Sequence, residues 1–592
     1  MIKYYKSALG VCFILLCSNT WANQQELIKN VENSLSPVNS FKGDKLWSLQ
    51  DRMKHYGVPG VGIAVIKDYK VSWFKTYGLA DREAGKVASN QTLFQAGSVS
   101  KPVAAFGALR LVEAGKLPLD SDINTTLKSW KLPENEFSTK AKVTLRELLS
   151  HTGGLTTRGF IGYSLDEKIP NVIQILNGIK PANSAPVRVN KEPGGDFRYS
   201  GGGYTVAQLM MSEVSGMPFN KVMDELLFNS VRMTQSFYQQ TLPTALLKNL
   251  AAGVRAHGDA VTGKYHTHPE MAAAGLWTTA GDLALFAAEI QKALSGNSKL
   301  LNKSTAQTMI TEVDSGYALG WFVDNRGGTS YFSHGGSTQG FSTQLTSHLK
   351  DGYGVAIMTN SNHPEFLDEV VSAVGLTYEW DGYQAKETQN ITKEMFNKYL
   401  GQYRYDSTQS ISITSQEGKL WMSYPGTSPK ELNYTGEGIF LRRESATPIK
   451  FTEAKGVIQF NFVRSYGNYQ SHLKLAKDEQ MAGDALNTDD YADALIAYRT
   501  LLEKDSSDES LSEGRLNNQG LSMMKENFDY AIKLLTINTD LYPDSANTWD
   551  SLAFAYQQAN IKHKAIQHYR NALKRDSTFP SALKGLAELE NK

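Results

Sequence analysis

The chain has 592 residues, 41% of them hydrophobic, with 61 Lys and Arg against 60 Asp and Glu. That length allows several domains, and that apolar fraction supports real cores, which excludes a disordered protein. A formal charge of +1 supplies no basic face, so nucleic acid is not an expected partner.

The chain opens on "MIKYYKSALGVCFILLCSNTWANQQ". Lys3 and Lys6 form a positive start, and Ala8–Cys17 is an apolar run too short to span a bilayer. Ala22 ends a small-residue cleavage pattern, so residues 1–22 read as a secretory signal peptide. Its removal takes two lysines and no acid, turning the formal charge of +1 into −1. Both cysteines, Cys12 and Cys17, leave with it, so the mature chain has no disulfide or thiol chemistry. Lipidation of Cys17 is the rival reading, and bulky Leu16 opposes it. No other stretch is apolar enough to cross a membrane. The expected location is periplasmic or extracellular.

"GVGIAVIKDYKVSWFKTYG" (Gly60–Gly78) predicts a hairpin turning near Lys67-Asp68. Helical patterns follow, among them Val103–Glu113 and Thr205–Val214, and strands return near Tyr353–Ser361. Strands at both ends with helices between predict one mixed domain whose first and last strands pair. From about 391 to 475, short β-rich runs such as "SISITS" and "VIQFNFV" alternate with Gly, Pro and Ser. They predict a small antiparallel β domain, with a barrel as one form. The tail is helical and repetitive. Ala494, Ala531 and Ala565 stand 37 and 34 residues apart, each followed four residues later by Tyr498, Leu535 or Tyr569. A period near 34 resembles tetratricopeptide repeats; a plain helical bundle is the alternative. Helix pairs of this kind stack, and their expected use is binding a protein or peptide. The expected boundaries are 1–22, 23–388, 389–476 and 477–592.

The chemistry centres on "QAGSVSKPVAAFGAL" (Gln95–Leu109). Residues three apart share a helix face, so Ser98 and Lys101 stand side by side in a first turn that tolerates Pro102. A serine hydroxyl is a weak nucleophile until something takes its proton, and a desolvated lysine beside it can do so. The bland alternative makes Ser98 an N-cap and Lys101 a solvated surface charge. "EPGGDFRYSGGGYTVAQLM" adds Tyr199-Ser200-Gly201 before a helix, and "YFSHGGSTQGFSTQL" adds His334-Gly335-Gly336 between strand-like runs.

These three segments, in this order, resemble the class C β-lactamase-like, penicillin-recognising serine hydrolases, which carry S-x-x-K, Y-x-N and K-T-G or H-x-G. "LRELLSHTGGL" (Leu145–Leu155) and "AAAGLWTTAGDLALF" (Ala272–Phe286) fit as well, and the resemblance covers about residues 40–385. It implies an antiparallel sheet plus a helical subdomain there, so the whole chain is expected to be α+β, with the small β domain and then the all-α repeats following. It also implies that Ser98 becomes acylated while Tyr199, as phenolate or phenol, takes or relays the proton. The backbone amides of Ser98 and Ser337 would hold the oxyanion. Gly335 and Gly336 would let a strand lie close to the substrate. No metal or cofactor is implied.

Three positions depart from the pattern. Gly201 stands where the family has an amide-binding Asn, His334 replaces a carboxylate-binding Lys, and Gly335 lacks a hydroxyl. All three weaken recognition of an amide and a carboxylate, so an ester or D-amino-acid peptide is a better expected substrate than a β-lactam. A degenerate, non-catalytic envelope adaptor working through its repeats is the competing function. His151 in "SHTGGL" reads as a packed loop residue rather than a triad base. "HTHPE" (His266–Glu270) offers two histidines but no third metal ligand.

Overall fold

The computed structural model describes residues 23–242, 244–463, 469–487 and 490–590. The signal segment 1–22, with Cys12 and Cys17, lies outside the described residues. The chain divides into two compact units, Met1–Ala385 and Lys386–Lys592.

A seven-stranded antiparallel sheet organises the first unit: β1 (Gly60–Lys67), β2 (Lys70–Asp81), β3 (Lys86–Val87), β4 (Phe322–Arg326), β5 (Thr329–Thr338), β6 (Phe341–His348) and β7 (Gly354–Thr359). Their order is β3-β2-β1-β7-β6-β5-β4, so the first and last strands of the unit pair, with Ile63 opposite Ile357. The hairpin turns on Asp68-Tyr69, one residue later than the sequence predicts, because Lys67 pairs with Lys70. Both turn residues take positive φ, 53° and 62°, the twist that suits a two-residue hairpin.

Residues 60–66 of β1 are all buried, which explains a continuous apolar run rather than an alternating one. Val61, Ile63 and Val65 pack on one face with Phe366, Val370 and Val374 of the helix Pro364–Thr377. Ala64 and Ile66 face the opposite core, with Leu283, Ala287 and Ile290 of the helix Ala280–Ser295. That second core continues into the helical subdomain, whose two inner helices are α1 (Ser100–Glu113) and α2 (Gly201–Ser215). The architecture is α+β, an antiparallel sheet with helices on both faces and a helical subdomain.

In the second unit eight strands run in sequence order from Gly401–Arg404 to Tyr469–Leu473. The ends approach: Tyr403 bridges Lys474, and the Leu475 amide donates to the Gln402 carbonyl at 2.8 Å. The sheet thus curls toward a barrel around Tyr403, Ile413, Phe440, Phe451 and Phe460. Helices follow from Tyr491–Lys504 to Pro580–Glu590. Ala494, Tyr498, Ala531, Leu535, Ala565 and Tyr569 are all buried in them. A Cβ on Gly520 would meet Leu535 at 2.6 Å and one on Gly585 would meet Tyr569 at 2.3 Å, so a small residue on one helix admits a large one from another. The segments expected as separate domains, 389–476 and 477–592, share this unit. Ser410 Oγ donates to Asp484 at 2.9 Å and Tyr530 Oη to the Gly483 carbonyl at 3.1 Å.

Ile63 is fully buried at the centre of the sheet. Ile63→Ala is expected to destabilise the first unit by about 2–5 kcal/mol, read from its transition in urea.

Candidate active site

A short 3₁₀ turn, Gly97–Val99, feeds directly into α1. Ser98 sits in that turn and caps nothing: α1 starts without a side-chain cap. Lys101 is buried, 2% exposed, so the solvated-charge reading fails. Its Nζ donates to Ser98 Oγ at 3.0 Å and to the Ala273 carbonyl at 2.8 Å. Burial pulls the Lys101 ammonium down to about 7, because a charge in that position loses its hydration without gaining a carboxylate.

Tyr199 comes from the other side. Ser200 caps α2, accepting from the Gly203 amide at 3.1 Å, which sets Tyr199 just ahead of the helix. Lys101 Nζ lies 4.9 Å from the centre of the Tyr199 ring. Burial raises the Tyr199 hydroxyl to about 12, against a hydrogen bond with Ser98 and the charge of Arg158 that lower it. It is therefore a phenol at neutral pH, which decides between the two forms left open by the sequence. Tyr199, about a hundred residues away in the chain, thus meets Ser98 and Lys101 in one place.

The third segment lies inside β5 rather than between strands. A Cβ on Gly336 would sit 2.0 Å from the Ala96 carbonyl and 3.0 Å from the Ser98 amide nitrogen. One on Gly97, whose φ is +52°, would strike the Ser337 amide nitrogen at 2.5 Å. Glycine at both positions lets β5 press against the serine turn, which brings the Ser98 and Ser337 amides together. Gly335 is different: its added Cβ would meet only Gln344 Oε1 within 3.5 Å, so packing does not demand a glycine there. Asn362 Nδ2 donates to Ser337 Oγ at 3.1 Å and to the Thr338 carbonyl at 2.8 Å, holding the end of β5.

His334 is buried, and burial, helped by the Lys101 charge, pulls it down to about 3. It is neutral. Its Nδ1 is 2.6 Å from the Gly335 carbonyl, which can only accept, so the proton is on Nδ1. Nε2 then accepts from Tyr317 Oη at 3.2 Å. His151 is also buried and held far below its usual range by burial. Its Nδ1 accepts from the Ser200 amide at 3.0 Å, and its ring lies 4.2 Å from that of Tyr199. It braces the Tyr199 turn, as a packed loop residue would. His266 Nδ1 meets the Ile161 carbonyl at 2.9 Å. His268 and Glu270 are buried, and their ring nitrogens and carboxylate oxygens have no hydrogen-bond partner among the described residues. No three metal-ligating side chains cluster among the described residues.

Gly201 opens α2 with its amide donating to the Arg158 carbonyl at 3.0 Å. Neither that partner nor the Ala273 carbonyl under Lys101 was legible in the sequence, since a backbone oxygen has no residue type to betray it. Tyr317 was equally hidden, though its aromatic neighbours Phe197 and Phe322 frame the same corner.

Residues 48–376 match the beta-lactamase family model. Protein Flp of Staphylococcus aureus (strain N315) is 24% identical over 326 residues, covering 53% of this chain and 62% of Flp. Esterase EstB of Burkholderia gladioli is 30% identical over 188 residues, covering 29% of this chain and 45% of EstB. The chain thus spans less than two thirds of either relative. Among solved structures, the octameric penicillin-binding protein homologue from Pyrococcus abyssi aligns with a TM-score of 0.47 at 20% identity, covering 72% of this chain and 98% of that one. With more than half of its length matched by the family model, the chain belongs to the beta-lactamase family.

Proposed function

We propose that the protein is an exported serine hydrolase that opens an ester or amide through an acyl-enzyme on Ser98. The observation that carries this reading is Lys101 Nζ at 3.0 Å from Ser98 Oγ, with its pKa near 7. At neutral pH about half of such amines are uncharged, so one can accept the serine proton as Oγ attacks the carbonyl carbon. The Ser98 and Ser337 amides face the oxygen that becomes negative. Collapse of the tetrahedral adduct breaks the bond to the leaving group, which receives the proton through the Tyr199 phenol and Lys101. Water then repeats the sequence on the acyl carbon and frees Ser98.

Neutral His334 and the absent side chain of Gly201 favour an ester or a D-amino-acid peptide over a β-lactam. Export rests on residues 1–22. The helices from 491 onward, with their period near 34, are the expected seat of a protein or peptide partner, in the manner of tetratricopeptide repeats.

A fluorophosphonate is expected to label the wild type and not Ser98→Ala, and aryl esters to be cleaved at least as fast as nitrocefin. An inert wild type that still captures a partner through its helices would instead favour a non-catalytic adaptor. The pH profile of kcat/KM is expected to rise through about 7, as Lys101 loses its proton, and to stay level to at least pH 9, because Tyr199 keeps its own to about 12; a profile falling between pH 6 and 8 would contradict this. Lys101→Met is expected to abolish hydrolysis yet raise Tm. The folded pKa near 7 lies below the unfolded value of about 10.4, so the native state carries the penalty in full below pH 7 and sheds it as pH rises. The gain in Tm should be larger at pH 6 than at pH 9, and an equal gain at both would count against a buried ammonium.

A further inference from the structure

The segment Thr156–Phe160 is tied across the start of α2 like a strap. Ser200 Oγ donates to the Thr156 carbonyl at 2.7 Å, the Gly202 amide to the Thr157 carbonyl at 3.0 Å, and the Gly201 amide to the Arg158 carbonyl at 3.0 Å. Thr157 Oγ1 donates to the Ala185 carbonyl at 3.2 Å. Thr157 holds φ at +66°, a left-handed conformation that a β-branched residue adopts only when its surroundings impose it. Directly above Gly201 lie the Phe160 ring and the Arg158 carbonyl, 3.0 and 3.2 Å from where a Cβ would be. The strap therefore fills the space into which an asparagine side chain at 201 would grow. Gly201 and the strap are a matched pair: the strap occupies the space that a side chain at 201 would need.

What the strap presents is a cation. Arg158 is exposed, and its guanidinium makes no hydrogen bond or ion pair among the described residues. Its own carbonyl accepts from the Gly201 amide at 3.0 Å, two residues from Tyr199, and its charge lowers the Tyr199 hydroxyl. The other basic groups of the site are muted: His151 and His334 are neutral, and Lys101 is half so.

We propose that Arg158 is a substrate-binding residue that receives a carboxylate carried by the ester or amide that Ser98 opens. A guanidinium offers a planar fork that a carboxylate matches with two parallel hydrogen bonds. The cation lost at 334 is in effect supplied from the wall that carries Tyr199. The inference rests on the serine-hydrolase reading for its reaction but not for its binding.

Two measurements keep them apart. The first compares mono(4-nitrophenyl) glutarate with 4-nitrophenyl butyrate. Wild type is expected to prefer the glutarate, and Arg158→Ala to lower the glutarate-to-butyrate ratio of kcat/KM about tenfold, mainly through KM. Arg158→Lys should recover part of the ratio, and 0.5 M NaCl should shrink it in the wild type, because an exposed charge is screened. The second titrates glutaranilic acid and neutral valeranilide calorimetrically into Ser98→Ala, which needs no turnover. Tighter binding of the acid, lost in Ser98→Ala/Arg158→Ala, supports the site. If butyrate is cleaved but neither the ratio nor the binding responds to Arg158, the carboxylate site is overturned and the hydrolase stands. If neither ester is cleaved while the acid still binds through Arg158, the hydrolase reading falls and the site stands.

Discussion

One amine kept away from water governs the first unit. Lys101 Nζ donates to a serine hydroxyl and a backbone carbonyl, and neither carries a charge to offset its own. Burial therefore makes the neutral form of a residue that is usually a permanent cation accessible at ordinary pH. This arrangement exists because α1 is enclosed on every side: Pro102, Val103 and Phe106 are buried with it, and α2 lies alongside. The core of the helical subdomain thus does more than hold the fold together. It sets the chemistry of the amine at its edge.

Close approach is the second constraint. The strand carrying the histidine motif and the turn carrying the serine touch through backbone rather than side chains, at Gly97 and Gly336. The absence of a Cβ at both positions lets the Ser98 and Ser337 amides, from distant segments, lie in adjoining backbone. Gly335 differs from Gly336 in having room for a side chain, so packing does not require its glycine.

The departures from the family pattern are coherent when taken with their neighbours. A neutral histidine tied to Tyr317 and to its own following carbonyl cannot act as a charge for a substrate. A glycine at 201 opens space that the 156–160 strap closes. Ser98, Lys101 and Tyr199 remain together beside all three departures.

The sequence by itself determined the order of elements, the pairing of first and last strands, the β-rich and helical segments that follow, and the three motifs with the residues that meet. Those features follow from local spacing: period two or three-to-four in apolar residues, glycines where turns occur, and a serine three residues before a lysine. Only the tertiary structure decided the rest. A lysine reads alike whether solvated or buried, so its pKa depended on what packs around α1. Tyr199 could have been phenolate or phenol until burial chose the phenol. The turn at Asp68-Tyr69, the place of His334 inside a strand, the Ala273 carbonyl and the strap over Gly201 all involve backbone groups or partners far away in the chain. Backbone atoms are the same in every residue, so no pattern of residue types could have announced them.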